Sequence, residues 1–195
     1  GVHALGNVAV FDTESSIPAE RMAYALNQRL PDDIVIVSSK EVPLDWHPRY
    51  QDEILKTYEY HIYNAPVQNP LKRRYSAFVS FPMNVEKMRE GAAYLLGEHD
   101  FVSFCNVRTS VEDTVRTVKE LMIEQEGPDI TIRITGNGFL YNMVRIIAGT
   151  LIRVGRGFYE PTKVKEILEA RERTQAGVTA PPEGLTLVCI EYDGS

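Results

Sequence analysis

The sequence predicts an α+β domain built on a mainly antiparallel sheet with flanking helices. Three observations carry this. Some segments alternate apolar and polar residues with a period of two, and others repeat apolar residues at helical spacing. The two kinds are interleaved, in a rhythm that comes round twice along the chain. One pair of strand-like runs is joined by the turn signal Gly127-Pro128-Asp129, which makes a hairpin.

Taken in order, Val8–Phe11 reads as a strand, and "SSIPAERMAYALNQRL" as a helix capped by Ser16, with Pro18 in its first turn and Met22, Ala25, Leu26 and Leu30 on one face. "DDIVIVSSKEV" reads as a strand, apolar on both faces at its start. In "DEILKTYEYHIYN" the alternation assigns Ile54, Lys56, Tyr58, Tyr60 and Ile62 to one side of a strand. Leu55, Thr57, Glu59, His61 and Tyr63 take the other. "NAPVQNPLKRRY" is a proline-containing loop, and "SAFVSF" a short strand. Asn84 caps a helix whose Met88, Ala92, Leu95 and Leu96 face inward and which Gly97 closes. After the hairpin, "GFLYNMVRIIAGTLIRVGRG" is a helix on the spacing of Phe139, Met143, Ile147, Leu151 and Val154, ended by Gly155 and Gly157, with Asn137 as its cap. "EPTKVKEILEARER" is another helix, and "APPEGLTLVCIEYDGS" a loop and a final strand.

Composition bounds the function. The 195 residues suffice for one large domain or two small halves sharing a core. No run reaches the roughly 18–20 uninterrupted apolar residues of a membrane helix. The net charge of −6 argues against a surface coated in nucleic acid. It leaves room for a local basic cleft, because phosphate responds to the charge nearby. Cys105 and Cys189 match no metal spacing and read as free thiols of a cytosolic protein. His3, His47, His61 and His99 show no metal-like grouping, so no metal is expected, and no serine or cysteine nucleophile motif occurs.

Three features could carry chemistry. Arg145 is enclosed by Met143, Val144, Ile146 and Ile147, so its guanidinium must snorkel to water or meet an anion. An ion pair within the fold, a catalytic carboxylate and a phosphate are all open as partners. Tyr58 and Tyr60 share a strand face with Lys56, either as half-buried packing or as a stacking surface for a base. Lys72, Arg73, Arg74 and Tyr75 form the one dense basic cluster, a solvated loop or a phosphate contact.

The opening "GVHALGNVAVFD" resembles the stretch that follows the catalytic aspartate in the TruA family of tRNA pseudouridine synthases, whose signature runs Arg-Thr-Asp-Ala-Gly-Val-His-Ala. Gly1, Val2, His3 and Ala4 match its end. "DWHPRYQDEILKTYEYHIYN", "GEHDFVSFC", "GNGFLYNMVRIIAGTLIRVGRG" and "TAPPEGLTLVCIEY" resemble four further family segments in the correct order, which spreads the likeness over the whole chain. Trp46 stands where phenylalanine is common.

The resemblance implies the pseudouridine synthase fold, two ferredoxin-like halves on one continuous sheet. Residues 1–63 would be the remainder of a truncated N-terminal half and 64–195 the C-terminal half. It implies cofactor-free isomerisation of uridine to pseudouridine in the anticodon stem-loop of tRNA, by a cytoplasmic homodimer. Arg145 falls on the arginine that pairs with the nucleophilic aspartate, and Tyr58 on the tyrosine that contacts the target base. His3 and Leu185 are further expected substrate contacts, and Arg49, Lys72, Arg73 and Arg74 expected RNA contacts. The aspartate itself would lie two positions before Gly1, so these 195 residues alone are expected to be inactive. The alternatives are a non-catalytic RNA-binding module of the same fold and a ferredoxin-like regulatory domain.

Overall fold

The computed structural model describes residues 1–49, 54–106 and 113–192. Positions 50–53, within the segment quoted from Asp45 to Asn64, and 193–195, after the final strand, lie outside the described residues. The chain forms two compact units, one of Gly1–Asn7 with Glu53–Ser195 and the other of Val8–Asp52.

The larger unit contains one sheet. Its strands are β1 (His3–Ala4), β2 (Ile54–Asn64), β3 (Ala77–Val79), β4 (Gly97–Asp100), β5 (Val115–Glu126), β6 (Asp129–Gly136) and β7 (Leu185–Tyr192). They run in the order β1-β7-β2-β6-β5-β4, with β3 beside β2. The β2, β4, β5, β6 and β7 ladders are antiparallel, and β1/β7 and β2/β3 are parallel. The expected α+β class is therefore the observed one. β2 sits centrally because its two faces differ. Tyr60 and Ile62 are fully buried and paired in register with Ile132 and Ile130, which are equally buried. On the other face Glu59 bonds Arg133, and Thr57 and Thr135 share a hydrogen bond at 2.9 Å. A sheet with one oily and one polar face needs a covering layer on one side only.

Helices α2 (Val85–Ala93), α3 (Met143–Gly155) and α4 (Lys163–Ala170) complete the core with Met88, Ala92, Met143, Ile147, Leu151 and Ile167, and Leu95 joins them just past the end of α2. Each of these side chains larger than alanine contributes about 1.5–3 kcal/mol on burial. Asn84 Oδ1 accepts from the Lys87 N–H at 3.0 Å, the expected cap of α2. Leu96, expected to face inward, is exposed instead, beyond the end of that helix. The β5–β6 turn has Gly127 at φ 56°, where glycine is favoured.

α3 is buried all round except at Arg145, Ile152 and Arg153. It begins later than its periodicity suggests, because Asn142 adopts the left-handed conformation at φ 62° and interrupts the chain there. Asn137 is not its cap. The Asn137 side chain instead accepts from the Thr117 N–H at 2.9 Å, at the end of the β5–β6 ladder.

The smaller unit departs most from expectation. Among the described residues it holds one helix, α1 (Ala19–Asn27), and neither Val8–Phe11 nor residues 32–42 form strands. A strand is a paired object, and among the described residues these segments have no ladder partner. The backbone is satisfied by side chains: Asn27 takes both the N–H and the carbonyl of Ile36, at 2.8 and 2.9 Å. Ser39 Oγ accepts from Ala23 and donates to Ala19. Pro18, not Ser16, stands at the N-cap of α1, with no side-chain cap bond.

Over α3 passes an irregular strap, residues 176–181. Thr150 Oγ1 accepts from the Gly177 N–H at 2.9 Å and donates to the Ile146 carbonyl at 2.8 Å. A Cβ on Gly149 would stand 1.9 Å from the Val178 carbonyl oxygen, so backbone meets backbone here. Glycine to alanine inside a helix ordinarily gains about 0.5–1 kcal/mol. At this crossing the clash decides the sign, and Gly149→Ala is expected to cost about 1–3 kcal/mol. Urea unfolding checks this: the midpoint falls at constant slope, whereas an unchanged or raised midpoint would mean the strap does not bear on α3.

Candidate active site

The strap fixes a guanidinium. Arg145 Nε donates to the Ala180 carbonyl at 2.7 Å, and the Ala180 N–H donates back to the Arg145 carbonyl at 3.1 Å. Arg145 Nη1 donates to Asn142 Oδ1 at 3.1 Å. The left-handed backbone of Asn142 thus serves two purposes, starting α3 and turning its amide to the arginine one helical turn on. The side chain is half-buried, and among the described residues no carboxylate pairs with it. A cation so held, with Nη2 uncommitted among the described residues, is organised to receive an anion.

The next carbonyl of the strap, that of Pro181, accepts from the Tyr60 hydroxyl at 2.8 Å. Burial pushes the Tyr60 hydroxyl well above its ordinary pKa, Glu183 adds to that and Arg145 opposes it. Tyr60 is wholly enclosed, so of the two tyrosines it is the structural one. Tyr58, two residues along the same face, stays half-buried, with its ring edge-on to Phe139 at 5.2 Å between centroids. Burial raises its pKa too, which keeps the hydroxyl neutral. Thr57 pairs with Cys189 but Tyr58 with Leu187, which leaves Val188 as the extra residue of a bulge. Bulges bend a strand and re-aim the neighbouring side chain.

Leu185 is paired with Tyr60 and nearly enclosed, 8% exposed. His3, in β1, lies opposite Thr186. Its Nε2 donates to the Arg74 carbonyl at 2.6 Å, and its ring is 4.8 Å from that of Tyr75. The fold therefore joins His3 to the basic loop across 71 positions. Within that loop Arg73 and Arg74 are exposed, and Arg73 Nη1 donates to the Pro70 carbonyl at 3.0 Å. Lys72 differs: its ammonium is paired with Asp129 and lies 5.1 Å from the centre of the Tyr63 ring. Arg49 belongs to the Val8–Asp52 unit, where it is exposed and its backbone N–H donates to His47 Nδ1 at 3.1 Å.

Several contributors escape sequence reasoning: Asn142, and the Ala180 and Pro181 carbonyls. Two carbonyls have no side-chain signature. For Asn142 there is a signal, since asparagine tolerates the left-handed region. No group of histidine, cysteine and acidic side chains suited to a metal occurs among the described residues.

Comparison with known proteins bears on this arrangement. A family model described as tRNA pseudouridine synthase matches residues 1–51 and 92–193. A protein of Brevibacillus brevis named tRNA pseudouridine synthase A is 48% identical over 192 residues, which span 98% of this chain and 78% of that relative. A Thermoanaerobacter protein of the same name is 50% identical over 192 residues, again 98% and 78% of the two chains. The Bacillus subtilis protein of that name is 48% identical over 193 residues, 99% of this chain and 78% of its own. By the reach of the model and the identity of these relatives, the chain belongs to the TruA family of tRNA pseudouridine synthases.

Proposed function

We propose that the protein isomerises uridine to pseudouridine in the anticodon stem-loop of tRNA, with an aspartate two positions before Gly1 as its nucleophile and no cofactor. The observation that carries this is Arg145, clamped by Ala180 and Asn142, half-buried and with no carboxylate partner among the described residues. Gly1 supports the reading. A Cβ at Gly1 would lie 3.3 Å from Pro182 Cγ, and Pro182 follows directly on the two residues that hold Arg145 and Tyr60. Two further residues span at most about 7 Å, so a residue there stays close to the strap that holds Arg145.

In this reading Arg145 keeps the aspartate ionised, because a neighbouring cation favours the charged form of a carboxylic acid. The carboxylate attacks the nucleotide, at C6 of the uracil or C1′ of the ribose, and the C1′–N1 bond breaks. The uracil turns, C5 bonds to C1′, the carboxylate is released, and the proton lost from C5 to solvent is matched by one taken up at N1, so atoms balance as an isomerisation. Tyr58 holds the extruded base on its ring, with His3 and Leu185 beside it. Arg73, Arg74 and Arg49 meet phosphates, and Lys72 supports that loop through its Asp129 pair. Residues 1–63 and 64–195 are two related halves that share the sheet. The working form is a cytoplasmic homodimer, which offers a basic groove despite the acidic protomer.

Three outcomes test this, each read as tritium release from tRNA labelled at uridine C5. The 195 residues alone give none, and the chain extended upstream through the aspartate gives full release. Release by the short chain would refute the nucleophile, and none from either would favour a non-catalytic RNA-binding module. In the extended protein, Arg145→Met lowers kcat about 100–1000-fold while tRNA Kd changes little, and Arg145→Lys does not restore it. Weakened binding with unchanged kcat would instead make Arg145 a phosphate contact. Tyr58→Phe keeps most of kcat/KM and Tyr58→Leu loses about 1–3 kcal/mol of transition-state stabilisation, if a π-face is what the base requires.

A further inference from the structure

We propose a second nucleotide site, for a residue of the RNA flanking the target uridine, in the groove between β3 and the C-terminal part of α3. The proposal rests on the functional reading above and extends it. The groove encloses about 340 Å³ and is lined by Phe78, Gly149, Ile152, Arg153, Arg156 and Phe158, among others. Its remaining lining residues include Ala180 and Pro181, whose carbonyls hold Arg145 and Tyr60. Site and groove therefore share one wall.

They also share one helix face. Arg145, Gly149, Ile152, Arg153 and Arg156 follow at intervals of four, three, one and three residues, a single stripe along α3 and its end. From Arg145 to Arg156 the helix rises about 16 Å. That is too far for one nucleotide to touch both and suits a strand lying along the stripe.

The chemistry of the groove is that of a nucleotide. Both of its charged lining residues are arginines, in a chain whose formal charge is −6. Arg156 lies between two rings, 4.6 Å from the centroid of Phe81 and 4.8 Å from that of Phe158. Stacking fixes the plane of a guanidinium without using its N–H groups, and among the described residues the Arg156 side chain is in no hydrogen bond or ion pair, so its edge is free for phosphate. A cation at a helix C-terminus is favoured by the helix dipole, which accounts for the charge. It does not account for the rings. Even with Arg156 against them, Phe158 and Phe81 are 62% and 59% exposed, an aromatic patch of the kind that marks an interaction surface. The assignment is thus Phe158 as a base platform and Arg156, with Arg153, as the phosphate contact.

The test uses the full-length protein and an unmodified tRNA transcript, with Kd measured against salt concentration. Phe158→Ala is expected to raise Kd about tenfold with the salt slope unchanged. Arg156→Gln is expected to raise Kd and to reduce the slope by about one, the signature of one lost phosphate contact. Both positions are on the surface, and an unchanged urea midpoint confirms the fold. Unaltered Kd and slope in both variants would overturn the site. So would normal tRNA binding with a shift in sedimentation, which would make the patch an interface between two copies of the chain. If the wild-type protein itself binds tRNA no better than a random RNA, the functional reading fails and this site with it. Retained wild-type binding with silent variants fails the site alone.

Discussion

The reciprocal pair of hydrogen bonds between Arg145 and Ala180 is the interaction on which the rest of the site depends. A guanidinium on a mostly buried helix has two stable situations, paired with an anion or tethered to carbonyls with its charge directed outwards. Here the strap supplies the tether, and the helix accepts the strap because Gly149 and Gly177 leave no side chain between the two backbones. Thr150 then satisfies the Gly177 N–H that this close approach would otherwise strand. Arg173 adds two bonds from the other side, to the Gly177 carbonyl at 3.0 Å and Thr179 Oγ1 at 3.2 Å. The aim of this one guanidinium is thus set by a carbonyl, two glycines and a threonine that carry no charge of their own.

The sheet provides the second constraint. β2 must run between β6 and β7 for Tyr60 to reach the strap and for Tyr58 to stop short of it. One face of β2 is committed to the core and the other to a polar ladder in which Glu59 sits between Arg133 and His61. That division leaves a narrow rim for a half-buried aromatic, and the bulge at Val188 falls there. Position on the rim separates the half-buried tyrosine, Tyr58, from the enclosed one, Tyr60, whose hydroxyl is spent on the strap.

Much of this was legible in the sequence, and what was not has definite reasons. The alternation in β2, the hairpin, the Asn84 cap and the last helix each follow from local rules, and the structure has them. Val8–Phe11 and residues 32–42 carry strand-like composition without strand pairing, since alternation reports an apolar face and not the presence of a neighbour. β7 defeats simple periodicity for another reason: the bulge slips its phase, so Leu187 and Ile190 share the core side although three positions apart. Arg145 was legible as an arginine in difficulty but not in its solution, because its main partner is a carbonyl 35 residues away. The split between Tyr58 and Tyr60 was equally invisible, as both read alike in the alternation.

The strap itself contains no helix or strand and is flanked by a short turn at each end, Arg173–Gln175 and Pro182–Gly184. Its attachment is a handful of hydrogen bonds together with Ala176 and Ala180, which are buried in the core. Proteins open locally wherever such bonds can be exchanged for water at less than the cost of global unfolding. Here the strap cannot lift away cheaply, because Ala176 and Ala180 would leave the core with it and Thr150 would lose the Gly177 N–H. The molecule therefore has one stability for its sheet and its site, and on warming a probe of the strands and a probe of the strap would report the same transition.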